Sequence, residues 1–153
     1  MKWTVNNFPT HKLCNENGEV VASIKHRGSS YAGYSKGGTQ FISVACGDEN
    51  SFIVSIRGCV LDARMELGDN TKSIVFRPAR AECIRFRWNE SPVCIKQLER
   101  RDFVVSSAMI SGTVTGMLGW RAAIHVSTED EVFAALLYIF AHIMLHEDDV
   151  DIV

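Results

Sequence analysis

An unbroken apolar segment near the C-terminus constrains the fold of this chain more than any other feature. In residues 132–145, a run of fourteen, the only polar groups are the Tyr138 hydroxyl and the His142 ring. A helix on a protein surface has a polar stripe, whereas a helix that is apolar all round must be buried on every side. At 1.5 Å per residue the run spans about 21 Å, short of the roughly 30 Å of a bilayer core. The segment therefore predicts a buried helix and no transmembrane span.

The residues before this run indicate where the helix begins. Thr128 is a suitable N-cap, and Glu131 follows three residues later, which is the pattern of a capping box. Acidic side chains in a first helical turn are stabilised by the helix dipole. We expect a helix over about residues 129–146, followed by an acidic tail, residues 147–153, in solvent.

The chain before this helix, residues 2–126, has the pattern of short β-strands. Runs rich in Val, Ile, Phe and Thr are separated by Gly, Asn and Asp at intervals of roughly ten residues. In one run Ile84, Phe86 and Trp88 share a face, while Arg85 and Arg87 share the other. Such alternation is typical of an antiparallel sheet with one dry face and one wet face.

The clearest turn is Asn17-Gly18, between the runs 12–14 and 19–24. Asn-Gly can adopt the positive φ angles of a tight hairpin turn, so we expect these two runs to pair. A second glycine-rich stretch, residues 112–119, is typical of a place where a strand bends or another backbone passes close by.

A closed sheet explains both the helix that is apolar all round and the strands that have one apolar face. We predict a mainly β fold, a closed antiparallel barrel of about ten to twelve strands that encloses the C-terminal helix, because inward-facing strand residues would then surround the helix. The small residues Ala134, Ala135 and Ala141 would let strands approach the helix axis. A chain of 153 residues can bury one core of this kind, so we expect a single domain over residues 1–153.

Three segments together resemble a known family. The hairpin at residues 13–21, the strands from 74 to 95 and the capped apolar helix at 128–145 resemble the tubby C-terminal and LURP-one-related barrels, to which phospholipid scramblases are similar. The resemblance implies a barrel filled by a hydrophobic helix. In tubby domains, basic residues on the barrel surface bind phosphoinositide head groups, and scramblases act on membranes with calcium. No lipid-contacting residue of that family is matched to a position in this chain.

Charge is unevenly distributed, although the net charge is only -2. Residues 72–101 contain eight basic residues and three acidic residues. If Arg85 and Arg87 point outward, neighbouring strands can add Lys96 and Arg77 to one basic patch. Arginine holds phosphate through paired hydrogen bonds, so these four residues form a predicted anion-binding site. The alternative is a solvated face whose arginines pair with nearby acids.

Histidine and cysteine give weaker indications of chemistry. His142 and His146 are four residues apart on the predicted helix, but the segment between them lacks the general base of an HExxH motif, so we expect no metal site. A satisfied core pair of His142 with Tyr138 is the preferred interpretation. The five cysteines lack paired spacing and are interpreted as small buried apolar residues. Asp62 and Glu66 are four apart and are interpreted as solvated acids rather than a catalytic pair.

The sequence contains no common motif for an enzyme, and no cofactor is expected. The N-terminus has no apolar run typical of a signal peptide, so the predicted location is cytoplasmic, with peripheral association with a membrane. The predicted function is a non-catalytic binding or scaffold module. Its predicted partners are an anionic membrane lipid or an acidic protein surface, and not nucleic acid, which usually requires a basic excess. Two alternatives stay open: a small enzyme or metal-dependent protein using Cys and His from different strands, and a structural subunit of an oligomer.

Overall fold

The computed structural model describes residues 1–7, 10–67, 81–98, 102–108, 110–127 and 130–148, with side chains of the last segment described as far as Leu145. Along these residues lie twelve strands and one helix. The strands are β1 (Lys2–Asn6), β2 (His11–Cys14), β3 (Val20–Arg27), β4 (Ser30–Ser35), β5 (Gln40–Cys46), β6 (Ser51–Ile56), β7 (Cys59–Leu67), β8 (Ala81–Trp88), β9 (Ser91–Gln97), β10 (Phe103–Ser107), β11 (Ser111–Thr115) and β12 (Arg121–Val126). The helix is α1 (Glu131–Asp148).

The strands form one closed antiparallel barrel in which each strand pairs with its neighbours in the sequence. Closure is completed by β1 and β12, whose register runs from Lys2 opposite His125 to Asn6 opposite Arg121. The Met1 ammonium group adds a hydrogen bond of 2.7 Å to the Val126 carbonyl oxygen. The predicted fold class, a closed antiparallel barrel of about ten to twelve strands around a helix, is therefore confirmed.

The helix α1 fills the barrel. Every side chain from Val132 to Ala141 is buried, and the helix contacts β3, β5, β8, β9, β11 and β12, which are spread around the sheet. Phe133 lies 5.0 Å from Trp88, and Phe140 lies 5.1 Å from Phe86, measured between ring centroids. Burial on all sides explains why the helix has no polar stripe. None of the helical residues that the structure describes forms a segment long and apolar enough to cross a bilayer.

The ends of the helix differ from the prediction. Asp130 is the N-cap, because its Oδ1 accepts a hydrogen bond of 2.9 Å from the backbone N–H of Val132. The predicted cap, Thr128, lies outside the described residues, and the helix begins two residues later than expected. At the other end the helix continues to Asp148, so the first two residues of the predicted acidic tail are helical.

The predicted hairpin is present, but its turn has another geometry. β2 and β3 pair in antiparallel register, with a bulge at Leu13/Cys14. Of the two turn residues only Gly18 has a positive φ, 80°. Asn15 stabilises the turn instead, because its side-chain oxygen accepts the N–H groups of Asn17 and Glu19, each at 3.0 Å.

Candidate functional site

The outer wall formed by β7, β8 and β9 carries most of the predicted anion site. Along β8, Ile84 and Phe86 are buried while Arg85 and Arg87 are exposed, so the expected alternation is confirmed. Lys96 is exposed on β9 opposite Cys83, which places it on the same outer wall. The fourth predicted residue, Arg77, lies outside the described residues.

A groove of about 890 Å³ runs along this wall. Arg64 of β7 is the direct cross-strand partner of Arg85, and both line the groove together with Arg87. Like charges directly opposite on neighbouring strands destabilise a sheet. Polar side chains from four strands and the β5–β6 turn complete the lining: Asp48, Ser51, Asp62, Cys94, Ser106 and Ser107. Lys96 is not among the lining residues.

Acidic groups neutralise part of this wall. Arg85 Nε donates a hydrogen bond of 2.9 Å to Glu66 Oε1, and Cys83 Sγ lies 3.3 Å from Glu66 Oε2. Hydrogen bonds from Cys83 and then Arg85 lower the pKa of the Glu66 carboxyl. Arg87 Nη2 donates to the Glu90 carbonyl oxygen at 3.0 Å. Arg85 and Arg87 are therefore held in place on the wall, and Arg85 already has one anionic neighbour.

Arg64 was missed by the sequence analysis. The β7 residues Ala63 and Met65 are buried, so period-two alternation alone predicts that Arg64 faces outward. The same alternation separates Asp62 from Glu66 by about 13 Å along the strand, which is too far for a shared proton. Both face outward, as the interpretation of solvated acids expected.

A second cluster of chemical groups lies at one end of the barrel, where two of its histidines are half-buried and one is exposed. Three histidines meet there from three elements: His11 at the start of β2, His26 near the end of β3 and His142 on the helix. One ring nitrogen of each lies within 4.8 Å of the others. We call His11, His26 and His142, with Tyr31 and Tyr138, the mouth cluster.

Two tyrosines hold the histidines of the mouth cluster. Tyr31 Oη lies 2.6 Å from His142 Nδ1, and Tyr138 Oη lies 2.7 Å from His11 Nδ1. Burial raises the pKa of both tyrosines, so both hydroxyls stay protonated at neutral pH. His142 is therefore held by Tyr31 of the sheet, and its ring centroid also lies 6.0 Å from that of Tyr138, the residue with which a core pairing was expected.

The cysteines depart from their expected burial. Cys14 and Cys83 are buried, but Cys46 and Cys59 are exposed and Cys94 is half-buried. Interpretation as small buried apolar residues was thus wrong for Cys46 and Cys59. Cys46 lines a pocket of about 380 Å³ beside the mouth cluster, with His26 and Tyr31.

Comparisons with protein-family models, with characterised proteins and with solved structures find no match to this chain. The resemblance to tubby-like and LURP-one-related barrels therefore stays a prediction from residue patterns.

Proposed function

We propose that this protein is a non-catalytic binding module whose outer groove binds the phosphorylated head group of an anionic phospholipid. The observation that carries the proposal is the cross-strand pair of Arg64 and Arg85, which lines the groove together with Arg87. Two opposed guanidinium groups repel each other, and a bound phosphate would turn that repulsion into two charge-assisted contacts.

The acids of the groove favour a head group that also carries hydroxyl groups. Asp48 and Asp62 line the same groove as the three arginines. An ionised carboxylate only accepts hydrogen bonds, so it complements the hydroxyl groups of a polyol and repels a second phosphate. A phosphorylated polyol, such as an inositol phosphate, offers both kinds of group. The groove volume, about 890 Å³, is within the usual range for small-molecule sites.

Exposed apolar residues support a lipid surface over an acidic protein as the partner. Leu118 and Trp120, in the turn between β11 and β12, are 67% and 79% exposed. This turn and the β5–β6 turn, which contains Asp48, lie at the same end of the barrel because strand direction alternates along the sheet. Tryptophan is enriched where proteins meet the membrane–water interface. We therefore propose that the module makes peripheral contact with a membrane.

Sedimentation with vesicles tests the proposal. Vesicles of phosphatidylcholine with a few per cent of a phosphatidylinositol phosphate should retain the protein, and pure phosphatidylcholine vesicles should not. Retention should fall as salt is added, since exposed charges are screened within about 10 Å at 0.1 M salt. A soluble inositol phosphate should compete with the vesicles.

A charge-matched pair of variants isolates the groove. The double variant Arg64→Gln/Arg85→Gln should lose most retention, whereas Lys25→Gln/Lys36→Gln removes the same charge from exposed residues elsewhere and should keep it. Trp120→Ala should weaken retention on vesicles but not binding of the soluble inositol phosphate. Equal retention on both kinds of vesicle, or equal losses in both double variants, would contradict the proposal. Binding to acidic proteins without binding to vesicles would assign the groove to a protein partner instead.

A further inference from the structure

We propose that the mouth cluster is a binding site for a divalent transition-metal ion, with Zn²⁺ as the first candidate, held by the imidazoles of His11, His26 and His142. The inference is independent of the groove, because it rests on other residues on the inner face of the barrel. It departs from the expectation of no metal site, which rested on His142 and His146, and it is nearer to the alternative of a metal-dependent protein that uses histidines from different strands.

The fold brings the three histidines together. His11 is the cross-strand partner of Ile24, whose side chain is buried in the core, and His26 is two residues further along β3. Side chains two residues apart on a strand share a face, so both imidazoles point toward the inside. The helix then presents His142 to them, between the buried residues Ala141 and Ile143.

The distances suit a tetrahedral ion. The ring centroids are 5.4 Å apart for His11 and His142, 4.9 Å for His26 and His142, and 5.7 Å for His11 and His26. Imidazoles that bind Zn²⁺ at about 2.1 Å in tetrahedral geometry have ring centres roughly 5 Å apart and nitrogens about 3.4 Å apart. The nitrogens of the cluster lie within 4.8 Å of one another, so ring rotations of modest size complete the site.

Hydrogen bonds determine which nitrogen of His11 can bind a metal. The Asn7 side-chain N–H₂ donates to the carbonyl oxygens of Met117 and Gly119, at 3.4 and 2.8 Å, and this fixes its Oδ1 toward Tyr138. The Tyr138 hydroxyl donates its single proton to that Oδ1 at 2.8 Å. The Tyr138 oxygen must then accept from Nδ1–H of His11, at 2.7 Å.

This tautomer leaves the lone pair of His11 on Nε2. A metal-binding imidazole needs one nitrogen with a lone pair, and it usually donates its other N–H to an oxygen that fixes the ring. Tyr138 supplies that oxygen to His11. The Tyr31 hydroxyl lies 2.6 Å from Nδ1 of His142, so Nε2 is the nitrogen of that ring that would bind the ion, with Nδ1–H donating to the Tyr31 oxygen in the metal-bound form.

The ligand set indicates the class of ion. Three neutral imidazoles suit zinc, copper, nickel and cobalt, whereas magnesium and calcium require oxygen ligands. Three protein nitrogens leave one position of a tetrahedron for water. The pocket of about 380 Å³ beside His26 and Tyr31 provides space for this water molecule next to the ion.

Metal titration of the full chain tests the site. After treatment with a chelator and its removal, the protein should bind one equivalent of Zn²⁺ in a calorimetric titration. Zn²⁺ should also raise the melting temperature, since an ion that binds the folded state stabilises it. Mg²⁺ and Ca²⁺ at the same concentration should do neither. Co²⁺ should bind more weakly and show the visible absorption of a four-coordinate ion.

Single variants identify the ligands. His11→Ala, His26→Ala and His142→Ala should each weaken Zn²⁺ binding at least tenfold, whereas His125→Ala should not, because His125 is exposed on the outer face of β12. His26 is exposed, so His26→Ala is the variant most certain to fold, and circular dichroism checks that it does. Absence of a one-equivalent Zn²⁺ site, a similar response to Mg²⁺, or unchanged affinity in folded His26→Ala would overturn the proposal.

Discussion

Gly112 of β11 shows how closely two backbones approach in this barrel. A Cβ at this position would lie against the carbonyl oxygen of His125 and 2.6 Å from Cγ1 of Val126. Both belong to the paired strand β12, and a paired backbone cannot move aside cheaply. The glycine-rich sequence of residues 112–119 predicts a bend or a close approach of another backbone, and the structure shows the close approach at Gly112.

Gly112→Ala should therefore lower the free energy of unfolding by about 1–3 kcal/mol, the usual cost of overpacking. Gly37→Ala is the matched control, because Gly37 lies in a turn where a new Cβ meets no atom within 4 Å. It should change stability by about 0.5 kcal/mol or less. Urea unfolding of both variants measures the difference, and equal effects would contradict the explanation by close approach.

Cys83 gives a prediction about alkaline pH. Burial, followed by the hydrogen bond to Glu66, raises the pKa of the Cys83 thiol from 9.0 to about 12. Between about pH 9 and pH 12, Cys83 therefore keeps its proton in the folded state and loses it in the unfolded chain. The stability linked to the protonated thiol is complete below pH 9. It should be lost progressively as the pH rises from about 9 toward 12.

Urea unfolding at several pH values between 7 and 10.5 measures this loss of stability. The loss should be smaller in Cys83→Ala, which lacks the buried thiol, than in Cys59→Ala, which keeps it. Cys59 is exposed and serves as the control. Iodoacetamide at pH 8.5 should also modify Cys83 at least tenfold more slowly than Cys59, since the thiolate is the reactive form. Comparable labelling rates, or identical pH slopes in the two variants, would argue against a raised pKa.

At the scale of elements, Tyr138 links the helix to the strands at the mouth. Its hydroxyl contacts Asn7, which follows β1, and His11 of β2. Tyr138→Phe leaves both half-buried partners without this contact and should cost about 1–3 kcal/mol. Tyr34→Phe, on the outer face of β4, should cost less than about 0.5 kcal/mol. Thermal or urea unfolding compares the two, and similar losses would mean that the hydroxyl of Tyr138 is not what joins helix and sheet.

The elements also show what could be predicted from the sequence. The helix was predictable because residues 132–145 have no polar stripe, and the strands because Ile84 and Phe86 alternate with arginines. The helix start was misplaced because Thr128 and Asp130 are both good caps, and local sequence does not decide between them.

The sites were harder to predict than the elements. The outward direction of Arg85 follows from alternation alone, but its pairing with Arg64 depends on the register between β7 and β8, separated by a long segment. The mouth cluster was not predictable, because His11 and His142 are 131 residues apart and meet only when the barrel closes around the helix. Spacing rules detect ligands on one element, and here each histidine lies on a different one.

At the scale of the whole molecule, the sheet and the helix depend on each other. The closed sheet has no free edge, and it pairs the first strand with the last. Without the sheet, the apolar side chains of the helix would be exposed to water on all sides. Without the helix, the inner faces of the strands would have no apolar surface to pack against. Such mutual dependence predicts a single cooperative unfolding transition.

Phe140→Ala tests this dependence from inside the barrel. Phe140 is fully buried between Phe86 of β8 and Phe52 of β6, at centroid distances of 5.1 and 6.4 Å. Its loss should cost about 3–5 kcal/mol, whereas Val60→Ala, at a residue 67% exposed, should have little effect. Far-ultraviolet circular dichroism reports the backbone, and changes in tryptophan fluorescence report the buried Trp3 of β1 and the partly buried Trp88 of β8, since the third tryptophan, Trp120, is already 79% exposed. Both signals should shift to lower urea together, because a cavity beside the helix weakens every strand around it. A helix signal lost before the fluorescence changes would instead show that the barrel holds together without its helix.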